Sequence, residues 1–109
     1  MSVGTLVTYR RAERKTQYIP LATEEEFHRL WLPLAQGLHL QWIPLFASGV
    51  LLTTSDFPAV LEELAQMWEA ITTGMPSSDA KAKALDRAAL VIALLESLDP
   101  ANVEEVFIG

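Results

Sequence analysis

Val3-Gly4-Thr5-Leu6-Val7-Thr8-Tyr9-Arg10, followed after a polar interval by Thr16-Gln17-Tyr18-Ile19-Pro20-Leu21, is the passage on which the fold turns. Leu6, Thr8 and Arg10 alternate with Val7 and Tyr9, the two-residue period of a strand, and both runs are rich in β-branched and aromatic residues. Residues 11–15 between them are polar, so the spacing predicts a hairpin with a charged tip. No Asn-Gly or Asp-Gly fixes its turn type.

Beyond the hairpin the period changes to that of helices. Thr23 and Glu26 have the spacing of a capping box, and Glu24, Glu25 and Glu26 suit a positive helix end. Phe27, Leu30, Trp31 and Leu34 then form an apolar stripe. Pro33 limits or kinks this helix, and Gly37 is its expected stop. Leu38, Leu40 and Trp42 alternate with His39 and Gln41, which predicts a strand that ends or lies at an edge because of Pro44. Val50-Leu51-Leu52 is a short strand or an extended approach to the next helix. Ser55 or Asp56 caps that helix, with Pro58 in its first turn. Phe57, Val60, Leu61, Leu64, Trp68 and Ile71 share one face of it. Gly74 to Ser78 breaks the chain. A third helix is expected from about Asp79 to Leu98, with Asp79 and Lys83 spaced as an i,i+4 pair. Its half from Ala88 to Leu95 is apolar all round and is expected to be buried on more than one side. Val103 to Ile108 alternates again and closes the sheet. The order β-β-α-β-α-α-β predicts one α+β domain over residues 1–109, a small, mostly antiparallel sheet with about three helices packed on one face.

Composition narrows the function. The chain has 109 residues, half of them apolar, with 20% charged and a mean hydropathy of +0.22. That is a high apolar share for a body with little interior, so some apolar surface is expected to need a partner or a second copy. Cysteine is absent, which removes disulfides, thiolate nucleophiles and cysteine zinc sites and suits a reducing compartment. The start lacks the pattern of a signal peptide, and the longest apolar run, Ala88 to Leu95, is too short to span a bilayer. A cytoplasmic protein is expected. Net charge is −6, yet residues 1–23 carry an excess of +3 through Arg10, Arg11, Arg14 and Lys15 against Glu13. An acidic body disfavours nucleic acid and favours a basic partner, or a second copy docking basic end to acidic face.

No constellation points firmly to catalysis. Glu25-x-x-His28 has the i,i+3 spacing of a helical metal motif, but there is one copy where a di-metal bundle needs two. His39 points away from the face of its apolar neighbours. Thr53-Thr54-Ser55-Asp56 precedes a helix without the glycines of a phosphate cradle, so it reads as a cap. Glu62-Glu63 and Glu104-Glu105 diverge by backbone geometry and read as solvated surface. No serine stands in a nucleophile elbow. Neither a metal nor a cofactor is expected. Trp31 and Trp68 are expected in the core.

The leading expectation is a non-catalytic protein–protein interaction module or homo-oligomer, an acidic inhibitor or immunity-type binder being one form of it. The candidate interface is Trp42, Ile43, Leu45, Phe46, Leu90, Val91 and Leu94. The candidate basic contact is Arg10, Arg11, Arg14 and Lys15. The alternative is a small enzyme or ligand-binding domain using His28, His39 and nearby carboxylates in a cleft.

Overall fold

A computed structural model describes residues 2–11 and 15–109. Four strands, β1 (Ser2–Tyr9), β2 (Gln17–Thr23), β3 (Val50–Leu52) and β4 (Val103–Ile108), form one antiparallel sheet in the order β2-β1-β4-β3. Three helices complete an α+β fold. The first, α1, runs over residues 24–37; α2 is Phe57–Gly74 and α3 is Asp79–Ser97.

Strand alternation separates the two faces of the sheet. Val3, Thr5, Val7 and Tyr9 of β1, Leu21 of β2, Leu52 of β3, and Val106 and Ile108 of β4 are buried against the helices. The helices contribute their own stripes. Phe57, Val60, Leu64, Met67 and Ile71 of α2 are buried, as are Ala84, Ala88, Val91, Leu94 and Leu95 of α3. Met67 therefore takes the core position expected of Trp68, which lies exposed at the edge of the stripe. The half of α3 expected to be buried all round has an open side instead, where Ala89, Leu90 and Ala93 face outward. It packs against α2 and β2.

Helix α1 contains a π-helical turn, Phe27–Trp31, between α-helical Glu24–Glu26 and Leu32–Gly37. Pro33 follows this turn. It has no amide for the Arg29 carbonyl, and the wider turn relieves the clash its ring would make there. The expected interruption at Pro33 thus takes the form of a local widening. The turn brings Phe27 and Trp31, both fully buried, into a stacked pair with centroids 6.5 Å apart. Thr23 caps the helix as its sequence predicts, accepting from the Glu26 amide at 3.1 Å.

The strand expected over 38–42 does not form. His39 adopts φ 58°, and α1 ends in a Schellman turn in which the Leu40 amide donates to the Ala35 carbonyl at 2.9 Å and the His39 amide to that of Gln36 at 3.1 Å. The alternation of Leu38, Leu40 and Trp42 is that of a turn leading into a 3-10 helix, Ile43–Ala47. The strand between α1 and α2 is instead the short apolar run Val50–Leu52, at one edge of the sheet.

Candidate protein-docking face

Among the described residues no helix lies over the outer side of the sheet, and one row of it is apolar from edge to edge. Leu6 of β1 lies opposite Tyr18 of β2 on one side and Phe107 of β4 on the other, and Phe107 lies opposite Leu51 of β3. Tyr18-Leu6-Phe107-Leu51 is thus an in-register line across all four strands. Their exposures are 48%, 36%, 37% and 58%, and they make up half of the large hydrophobic side chains left exposed among the described residues. Directly opposed side chains on a sheet lie within contact reach, so the four form one patch.

Glycines set the relief of this face. The Tyr18 ring lies on Gly4, where an added methyl would meet the ring and its hydroxyl. Phe107 covers Gly49 and Gly109, with its Cζ 2.6 and 2.7 Å from where their methyls would stand. Gly49 also has φ 93°, so glycine there meets a conformational as well as a spatial need. The Tyr18 hydroxyl is held by the Ser2 hydroxyl at 3.0 Å. Both rings therefore lie against backbone that carries no side chain of its own. Toward the hairpin end the face becomes polar. Thr8 lies opposite Glu105 there, and the Arg10 Nε donates to the Val103 carbonyl at 3.1 Å.

The edges of the sheet are poorly suited to pairing. Gly4 and Gly109 exchange both backbone hydrogen bonds, so the Gly4 amide and carbonyl face β4. Pro20, the partner of Gly4 on the other side, then turns its backbone away from β1, and its missing amide falls on the free edge of β2. The opposite edge, β3, is only three residues long. A proline and a short strand are two devices by which sheets avoid edge-to-edge extension. The apolar feature left open is the face.

The seven residues expected at an interface divide by burial. Ile43, Phe46, Val91 and Leu94 are core side chains; Trp42 is half-buried against that core, while Leu45 and Leu90 are exposed. Arg10, Arg11 and Lys15 are exposed at the hairpin end, and Arg14 lies outside the described residues. The segment 42–46 is held inward by an acid that reads from sequence as solvated. Glu63 is half-buried on α2, and its carboxylate accepts from the amides of Gln41 at 3.1 Å, Trp42 at 2.9 Å and Ile43 at 3.1 Å. It caps the 3-10 helix from a position twenty residues further along the chain.

The histidines do not converge with carboxylates around a cavity. The His28 ring lies 3.0 Å from the Glu24 carbonyl of its own helix, while Glu25 forms a long, exposed ion pair with Arg29 at 3.7 Å. Asp79 and Lys83 form no such pair. Among the described residues, clefts of about 540, 450, 360 and 300 Å³ mark the surface, and neither histidine lines any of these. Among the described residues no group of three or more His, Cys, Asp or Glu side chains is placed to hold a metal ion. Nor is any helix among them long and apolar enough to cross a membrane. At the start of α2, Thr53 and Asp56 form a reciprocal cap, with the Thr53 amide donating to the Asp56 carboxylate at 2.9 Å. The capping residue is therefore Thr53 rather than Ser55 or Asp56, because a 3-10 turn, Thr54–Asp56, precedes the α-helix.

Leu6, Tyr18, Leu51 and Phe107 escape a reading of single strands, because each is one apolar residue in an ordinary alternation. Only the pairing register aligns them. Comparison with protein-family models, with curated proteins and with solved structures finds no match.

Proposed function

We propose that the protein is a non-catalytic protein-interaction module that docks a protein partner through the outer face of its sheet. The observation that carries this reading is the unbroken row Tyr18-Leu6-Phe107-Leu51. A contiguous apolar patch with a polar end is the usual surface of a protein contact, and aromatic side chains are favoured at the centres of such contacts. Blunted edges support a face-on mode over strand addition. The lack of cysteine and the acidic charge fit a cytoplasmic protein that meets protein rather than nucleic acid.

A photo-crosslinking amino acid placed at Leu51 in the cells that make the protein tests the reading. The control position is Gln66, which is exposed on α2. An adduct formed at position 51, absent at 66 and lost when Leu6→Lys is added, is the expected result. Equal adducts at both positions, or none at either, overturn it.

A further inference from the structure

We infer that the occupant of this face is a second copy of the same chain, packed sheet to sheet about a two-fold axis that runs along the strands between β1 and β4. The inference rests on the docking reading above and specifies its partner. The order of side chains in the row is ring, leucine, ring, leucine, in the strand order β2-β1-β4-β3. A two-fold along the strands sets β2 over the partner's β3, and β1 over its β4. Tyr18 then meets the Leu51 position of the second copy, and Leu6 meets the Phe107 position. All four contacts of the row become ring against leucine. The other face-to-face two-fold, running along the row, stacks ring on ring and leucine on leucine, which leaves clashes beside gaps. The alternation is therefore self-complementary about one axis only, as an isologous contact requires.

Charge agrees with the same axis. It superposes the hairpin ends of the two sheets, so β1, whose strand ends at Tyr9 with Arg10 next, passes over the strand that carries Glu105 in the second copy. Arg10 and Glu105 are brought to the same end of the contact twice, once for each copy. At the opposite end Gly4, Gly49 and Gly109 lie beneath the Tyr18 and Phe107 rings, so no side chain of their own stands between the two sheets.

Area points to a weak contact. Four strands about 4.8 Å apart and three outward rows about 6.7 Å apart cover about 400 Å² per copy. About 800 Å² in total is half of a standard stable interface, so the dimer is weak and reversible, half-formed at roughly 0.1 mM or above.

Sedimentation equilibrium of the full chain from about 10 μM to 1 mM tests this, with thermal melts to confirm folding. The wild type is expected to show a reversible monomer–dimer equilibrium. Leu51→Lys, at the most exposed position of the row, is expected to weaken it tenfold or more with an unchanged melt. Leu6→Phe sets ring on ring and Phe107→Leu sets leucine on leucine. Each is expected to weaken the dimer, and the double variant restores ring against leucine and recovers affinity to within about threefold of wild type. A wild type that stays monomeric at 1 mM overturns the inference. So does a dimer indifferent to Leu51→Lys, or a double variant in which the two losses simply add. A foreign protein crosslinked specifically at position 51 of a monomeric wild type removes the second copy and leaves the docking reading standing. Absence of any specific adduct, together with a wild type that is monomeric at 1 mM, removes both.

Discussion

Glu63→Ala should be among the most damaging single changes outside the apolar core, although the sequence gives Glu63 and its neighbour Glu62 the same appearance. The Glu63 carboxylate receives three backbone amides, from Gln41, Trp42 and Ile43, at 2.9–3.1 Å. Charge-assisted hydrogen bonds contribute about 1.5–3 kcal/mol each when buried, and a lost helix cap costs about 1 kcal/mol. The three amides share one carboxylate in a half-buried site, where water recovers part of the loss. A total of about 2–4 kcal/mol follows for Glu63→Ala. Glu63→Gln keeps one neutral oxygen acceptor and should lose about half as much. The damage is amplified by what the segment carries, since Ile43 and Phe46 are both fully buried. Urea unfolding monitored by tryptophan fluorescence gives the free-energy change, and amide exchange at residues 41–43 localises it. Glu62 is exposed, so Glu62→Ala should change stability by less than about 0.5 kcal/mol. Equal effects at positions 62 and 63, or unchanged exchange at 41–43, would refute the capping role.

Other consequences of the packing can be measured the same way. The Thr5 hydroxyl is fully buried, with no hydrogen-bond partner among the described residues, so Thr5→Val should raise stability by about 1 kcal/mol in urea unfolding. His39 holds a left-handed backbone at φ 58°, and His39→Gly should stabilise by about 1 kcal/mol, seen as a melting temperature a few degrees higher. The Lys81 ammonium donates to the Thr72 carbonyl at 2.7 Å and to that of Met75 at 2.9 Å, closing the C-terminal end of α2. Lys81→Met keeps the apolar stem and removes the donors, so a loss of about 1–2 kcal/mol is expected, with faster exchange in the last turn of α2.

The parts of the fold legible in sequence are those fixed by local period and local caps. Alternation at Leu6 to Arg10 and at Val103 to Ile108, the stripe through Phe57, Val60 and Leu64, and the Thr23–Glu26 cap all describe neighbours in the chain, and each has its counterpart in the structure. Residues 38–42 misled for a physical reason. A Schellman turn followed by a 3-10 helix sends Leu40 and Trp42 inward while Leu38 stays exposed, and a histidine in place of glycine hides the turn. The apolar weight of Ile43, Phe46, Val91 and Leu94 reads as surplus only until α1, α2 and the sheet enclose it. The apolar row and the Glu63 cap depend on residues twelve to about a hundred positions apart. No local pattern encodes them.

The two central strands of the sheet are also its most distant in sequence, with Thr5 opposite Ile108. During synthesis the hairpin β1–β2 leaves the ribosome early with one flank unmatched, and β4 emerges only after every helix. Closing so long a loop carries an entropic cost. The nascent chain should therefore stay vulnerable to proteases until its last strand slots in, and folding should then complete in one late, concerted step.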